Sequence, residues 1–277
     1  MDCVQLFLVD AFTTSAFRGN PAAVCLLPEV RPTEWMQKVA AEMNQAETAF
    51  LYPDDGSLRL RWLTPTVEVD LCGQATLATA HVLRELDAQG QLPKFLEPYW
   101  RNAGLRVHSR SGVLAAESSA YGITLDFPVT PAKPISVPDG LANALGVTES
   151  QIRFCGQSAF DYLVELDSAA RVRELRPDMK MLASFPVRGV IVTATGDTSD
   201  HDFLSRFFAP AAGVHEDPVT GSAHCALAPY WAIKFGRETL FGFQASSRGG
   251  HVRMELRGER VALSGRAVTV SRGTLLV

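Results

Sequence analysis

The stretch His215-Glu216-Asp217-Pro218-Val219-Thr220-Gly221-Ser222-Ala223-His224-Cys225 sets three ionisable residues before a run without Asp, Glu, Lys or Arg from Pro218 to Ile233. A surface helix alternates polar and apolar faces, so this run predicts a buried helix from about Gly221 to Lys234, kinked at Pro229. The first turn of such a helix carries unpaired N–H groups and roughly half a positive charge, which suits a carboxylate. Gly221 is then either a tight-turn residue or the opening through which a ligand reaches the backbone. Asp217 fits a helix cap or dipole partner, a role that leaves His215 and Glu216 beside it unexplained.

A second stretch, Cys72-Gly73-Gln74-Ala75-Thr76, offers related chemistry. Gly73 opens another helix, expected to run to about Leu86, whose first stretch GQATLATA carries no charge. Cys72 before it is either a thiol activated by the helix end, able to act as a base, or a small buried residue. Its counterpart before Gly221 is Thr220, which does not titrate, so two thiols working from opposite faces are excluded. Glu47 lies between a helix end and the apolar run Thr48-Ala49-Phe50-Leu51-Tyr52. Either it is a solvated loop carboxylate, or desolvation raises its pKa toward that of a general acid/base. Asn20, forced extended by Pro21, suits a plain turn or an amide presented to a ligand.

The elements that must position these residues follow from the hydrophobic pattern. Strands are expected at Gln5–Val9, Ala22–Leu27, Thr48–Tyr52 and Leu58–Leu63, with a helix capped by Thr33 and running to about Met43. Short strands follow at Leu105–Val107, Val113–Ala116 and Ile123–Phe127, and the proline-rich piece Pro128–Pro134 reads as a linker. Strands recur at Asp161–Leu166 and Val190–Thr195, and the tail from Phe241 to Val277 reads as a meander. An internal repeat organises the whole: Arg61–Pro65 (RWLTP) matches Arg206–Pro210 (RFFAP), and each precedes a loop and a glycine-opened helix. Ala75, Ala78 and Ala80 match Ala223, Ala226 and Ala228. The intervening loops differ by three residues, Pro65 to Gly73 being 8 and Pro210 to Gly221 being 11. The expected architecture is α+β, with two pseudo-symmetric lobes, 1–118 and 119–277, the final strand able to return to the first lobe. Their two helix N-termini would face each other across a cleft. By register Val69 stands where Asp217 stands in the second half, with Asp70 one position on, so the halves are not chemically symmetric.

Composition narrows the function. The chain has 277 residues, a net charge of −4 and no dense Lys/Arg cluster, which leaves no electrostatic footprint for nucleic acid or an anionic membrane. No apolar run approaches the ~20 residues of a membrane span. The first residues, Met1-Asp2-Cys3-Val4-Gln5, place an acid where a signal peptide has a basic region. Five scattered cysteines without C-x-x-C fit a reducing cytoplasm and offer neither a zinc site nor a disulfide framework.

Taken together, Asp10–Val24 (DAFTTSAFRGNPAAV), Met43–Phe50 (MNQAETAF), Arg61–Thr76 (RWLTPTVEVDLCGQAT), Glu216–His224 (EDPVTGSAH) and, more weakly, Arg248–Gly250 (RGG) resemble the PhzF-like family of phenazine-biosynthesis isomerases. That family shares the diaminopimelate epimerase fold, in which each half is a barrel-like, mostly antiparallel sheet around a central helix. The resemblance implies a cofactor-free, metal-free, homodimeric enzyme with Glu47 as general acid/base and Asp217 as its catalytic partner. It implies that Asn20, Gly73, Gly221 and Ser222 hold the substrate. The sequence departs from the family at Gln74, where C-G-H-A-T has histidine; glutamine can hydrogen-bond a ligand but does not carry a proton near neutrality. His224 is either a residue that compensates from the other half or a buried helical histidine. The expected function is therefore a cofactor-independent isomerase moving a proton on a small carboxylate-bearing metabolite. Its rivals are a Cys72-dependent epimerase or racemase and a non-catalytic metabolite- or protein-binding member of the fold.

Overall fold

A computed structural model describes residues 4–100 and 104–276. Met1–Cys3, and with them the N-terminal acid and one cysteine, lie outside the described residues, as do Arg101–Ala103 and Val277. The chain divides into two compact units, Met1–Asp126 with Ser264–Val277, and Phe127–Leu263. The division falls at 126/127 where 118/119 was expected, within the strand Gly122–Pro128, whose residues paired with Gly112–Ser119 lie in the first unit.

The first unit begins with β1 (Val4–Ala11), β2 (Asn20–Leu26), α1 (Thr33–Met43), β3 (Glu47–Asp54), β4 (Ser57–Leu63) and β5 (Glu68–Val69). There follow α2 (Gly73–Ala88), β6 (Leu105–Ser109), β7 (Gly112–Ser119) and β8 (Gly122–Pro128). Thr33 does not cap α1: Pro32 occupies that position, its carbonyl accepting from Trp35 and Met36 N–H, and Thr33 is the first helical residue. Thr33 Oγ1 instead accepts from Arg61. The second unit contains β9 (Lys133–Pro134), α3 (Leu141–Leu145), β10 (Ile152–Gln157), β11 (Asp161–Leu166), α4 (Ala169–Glu174) and α5 (Met179–Leu182). It continues with β12 (Gly189–Thr195), β13 (Phe203–Phe208), α6 (Gly221–Phe235), β14 (Thr239–Gln244), β15 (Gly250–Arg257) and β16 (Arg260–Gly265). The last strand, β17 (Ala267–Leu275), pairs with β1 of the first unit.

The repeat read from the sequence is a repeat of strand senses. In the first unit β1–β2 is antiparallel, β2–β3 parallel, β3–β4 antiparallel, β4–β6 parallel and β6–β7 antiparallel. In the second, β10–β11, β11–β12, β12–β13, β13–β14 and β14–β15 run through the same five senses in the same order. Both parallel connections in each unit contain helix, as a crossover demands. The second crossover of each unit holds the glycine-opened helix, whose first turns carry no charge.

Burial explains the composition of those helices. α2 packs against β1, β2, β3, β7 and β17, and every residue from Gln74 to Ala80 is buried. α6 packs against β11, β14 and β15 and buries Gly221, Ala223–Ala228 and Trp231. Small side chains let strands approach closely around each helix, and an unpaired charge there would carry a desolvation cost of several kcal/mol. Pro229 lies inside α6 and leaves the Cys225 carbonyl without its helical donor. Thr130 N–H donates to that carbonyl at 3.0 Å, so part of the expected linker is bound to the helix that its own unit surrounds. No helix among the described residues is long and apolar enough to cross a membrane.

Candidate active site

In the first unit three of the expected site residues come together. Glu47 opens β3 directly beside Ala22 of β2, and Asn20 stands two residues earlier on that strand. Side chains alternate along a strand, so Asn20 and Glu47 emerge on one face. Asn20 is fully buried and pairs in register with Ala11. The turn from β1 that delivers it is held by the Asp10 carboxylate, which accepts from Phe17 N–H at 2.6 Å. Gln74, the second residue of α2, is 7% exposed and donates its Nε2–H to Oε2 of Glu47 in a short hydrogen bond. The carboxylate therefore lies against the N-terminal turn of α2, where the helix dipole is positive.

Cys72 directly precedes α2. It is the N-cap of α2, and its Sγ accepts from Ala75 N–H at 3.4 Å. It is 4% exposed, and its carbonyl accepts from both Thr76 N–H and Oγ1–H.

In the second unit Asp217 lies at the corresponding helix end. Its Oδ2 accepts from Thr220 Oγ1–H at 2.5 Å. Gln244, fully buried at the end of β14, accepts from Thr220 N–H at 2.9 Å. Its Nε2 donates to the Asp217 carbonyl at 2.7 Å and to Thr220 Oγ1 at 3.1 Å. Ser246 secures the same turn by donating to the Pro218 carbonyl at 2.8 Å. Gly221 is buried and Ser222 half-buried at the head of α6.

His224 is completely buried, its Nδ1 donates to the Thr220 carbonyl at 2.8 Å, and desolvation pulls its pKa down to about 4. An imidazole in that setting is neutral near pH 7. His215 is exposed. Among the described residues no group of three or more His, Cys, Asp or Glu gathers as a metal ion would require.

Each helix end is also tied down by an ion pair that the sequence reading did not single out. Arg61 of β4 grips Glu68 through Nε at 2.7 Å and Nη2 at 2.6 Å. Arg206 of β13 grips Glu216 through Nε at 2.7 Å and Nη2 at 3.0 Å. Glu68 and Glu216 each stand five residues before the glycine that opens the helix, and the arginines are the first residues of RWLTP and RFFAP. The three extra residues of the second loop are thus absorbed before its glutamate, leaving the glutamate-to-helix distance unchanged. Arg206 further donates through Nη1 to the carbonyls of Val172, Arg173 and Leu175 at the end of α4 and lies over the Phe208 ring. The arginine signal was visible in the repeat. Gln244 was detectable only as an uncharged polar residue closing an apolar strand.

Comparison with known proteins agrees with this architecture. The family model described as phenazine biosynthesis-like protein (PhzC-PhzF) matches residues 9–273. The chain is 47% identical over 279 residues to a protein of Halalkalibacterium halodurans named as an uncharacterized isomerase, with 100% of both chains covered. It is similar to the crystal structure of a PhzF-family phenazine biosynthesis protein from Enterococcus faecalis, with a TM-score of 0.89, 36% identity and coverage of 99% and 100%. A predicted epimerase from Pseudomonas aeruginosa, 19% identical with a TM-score of 0.72 over 99% of each chain, shares the fold, which is that of the diaminopimelate epimerases. The chain is of the isomerase class, and it belongs to the phenazine biosynthesis-like (PhzC-PhzF) family.

Proposed function

We propose that the protein moves a proton between two carbons of a small carboxylate-bearing, cyclic metabolite, with Glu47 as the general acid/base. The carrying observation is the Glu47 carboxylate set against the first turn of α2, with one oxygen held by Gln74 Nε2–H. A base fixed in this way has a defined direction of approach, and a positioned base contributes ~10²–10⁴-fold. Glu47 takes the proton from a carbon activated by conjugation, the electron pair moves into the neighbouring unsaturation, and the same carboxyl returns the proton to a second carbon. In the first unit the Gly73 N–H, Asn20 and Gln74, and in the second the Gly221 N–H and Ser222, are the groups suited to a substrate carboxylate and to the charge that develops on it. Asp217 is the carboxylate of the second unit assigned to the reaction. The reading extends to a homodimer that works in the cytoplasm without a cofactor; the buried thiols of Cys25, Cys155 and Cys225 are at home in a reducing compartment.

The Cys72 alternative is weaker because that sulfur is occupied as a helix cap. The test is incubation in deuterium oxide with a panel of cyclic amino and hydroxy carboxylic acids. Deuterium should enter at one carbon, and Glu47→Gln should abolish exchange while ligand-induced thermal stabilisation persists. Undiminished exchange in Glu47→Gln refutes the assignment, and ligand binding with no exchange in the parent protein favours the non-catalytic reading.

A further inference from the structure

We infer that Gln244 and Thr220 are positioning residues that fix the direction of hydrogen bonding at Asp217, so that its Oδ2 is held as an acceptor. This deepens the reading in which Asp217 serves the reaction, and rests on it for its functional meaning. A backbone N–H only donates and a main-chain carbonyl only accepts. Thr220 N–H can only donate, so the Gln244 atom 2.9 Å from it must be the carbonyl oxygen. The Asp217 main-chain carbonyl can only accept, so the Gln244 atom 2.7 Å from it must be the amide nitrogen. Two independent backbone groups therefore set the amide in one orientation.

That orientation propagates. The same Nε2 is 3.1 Å from Thr220 Oγ1 and can only donate to it. A hydroxyl has one proton, and with a donor already directed at its lone pair, Thr220 sends that proton to Asp217 Oδ2 at 2.5 Å. Neither Gln244 nor Thr220 titrates, so neither reverses the sense of the last bond by gaining or losing a proton. Of the ionisable residues near Asp217 in the sequence, Glu216 is held by Arg206, and His224 is neutral and donates to Thr220 O. A buried glutamine in β14, 27 residues from Asp217 along the chain, thus sets the donor sense at a carboxylate that it touches only through the main chain and a hydroxyl.

The test is a ¹³C titration of the Asp217 carboxyl carbon in the full chain, its resonance identified by its loss in Asp217→Asn. Removing a donor from a carboxylate disfavours the ionised form, so Thr220→Val should move the midpoint up by about one pH unit, and Thr220→Ser should restore it. Gln244→Glu keeps the acceptor for Thr220 N–H but replaces the donor by an acceptor, which turns the hydroxyl proton away from Asp217. The midpoint should rise further than in Thr220→Val because a negative charge is added. The double variant should then titrate where Gln244→Glu does, the hydroxyl having nothing left to lose. An Asp217 midpoint unmoved by Thr220→Val overturns the inference. So does a double variant whose shift is the sum of the single ones, since the hydroxyl would then not be under the control of Gln244. If the titrations behave as expected but Asp217→Asn retains full deuterium exchange, the hydrogen-bond assignment stands and the catalytic reading of Asp217 falls. Near-ultraviolet circular dichroism identifies variants that fail to fold, for which Thr220→Ala is the substitute.

Discussion

The amide of Gln74 and the carboxylate of Glu47, 27 residues apart in the chain, are joined side chain to side chain at the mouth of a buried helix. Glutamine gives a fixed donor but no transferable proton. Gln74→Leu should lower the exchange rate roughly 10-fold or more by freeing the base to adopt unproductive rotamers, with a smaller effect on ligand binding. Gln74→His introduces a group that titrates near pH 6.5, and a new limb should appear in the pH profile of exchange close to that value. A profile identical to that of the parent would show that position 74 has no access to the reacting proton.

The paired clamps predict a shared pattern of stability. The Arg61 guanidinium hydrogen-bonded to Glu68 holds that carboxyl below the usual carboxylate range. Because the folded-state pKa is the lower one, the stabilisation is fully present above the unfolded value of about 4.3 and is lost as pH falls through the folded value. Urea titrations should show stability falling below about pH 4.3 in the parent, and less steeply in Glu68→Gln. In the second unit Arg206 is 7% exposed and satisfies three main-chain carbonyls besides Glu216. Arg206→Met should cost about 3–5 kcal/mol, the range for breaking a buried pair from one side, while Glu216→Gln should cost less because the amide still offers an oxygen to Arg206.

His224 gives a second pH effect with a separate origin. Burial holds its pKa at about 4 in the folded protein, against about 6.5 in the unfolded chain. Between these values the unfolded chain binds a proton that the native protein refuses, so stability decreases as pH falls from 6.5 toward 4. The full span amounts to about 3 kcal/mol. His224→Leu removes this slope, and the difference between variant and parent should grow across that window in urea melts at successive pH values. A parallel pair of curves would mean that the native imidazole protonates freely.

The contrast between what the sequence disclosed and what it withheld follows from how the contacts are made. The two helices were legible because burial of their first turns excludes charge from Gly73–Ala80 and Gly221–Ala228, and glycine marks their first residues. The equivalence of the halves was legible because RWLTP and RFFAP each precede a loop and a glycine-opened helix of matching alanines. The Gln74–Glu47 contact was not legible, since it depends on the parallel register that sets Glu47 beside Ala22. Gln244 was hidden for a similar reason: its partners lie across a crossover, and a single polar residue at a strand end looks like any strand end. Thr33 was misassigned because a threonine one residue inside a helix has the same local pattern as a threonine at its cap, and only the Pro32 carbonyl distinguishes them.

The turn that delivers Asn20 depends on a backbone shape that only glycine adopts without strain. Gly19 has φ of +66°, and a Cβ there would stand 2.1 Å from the Ala11 carbonyl oxygen and 2.9 Å from Thr13 Cγ2. The carbonyl belongs to β1, whose last residue is paired with Asn20, so it cannot move away without breaking that register. Gly19→Ala should therefore destabilise the protein by about 2–4 kcal/mol, the conformational strain adding to an unrelieved overlap. Whatever fraction folds should bind carboxylate ligands more weakly, because Asn20 leaves its place. Gly56 also has positive φ, +74°, but its Cβ position has nothing within 4 Å. Gly56→Ala then serves as the control: it should cost about 1 kcal/mol, leave ligand binding untouched, and separate the cost of the dihedral from the cost of the collision. Equal losses in the two variants would mean that the Ala11–Asn20 register yields easily, and with it the fixed position of Asn20 beside Glu47.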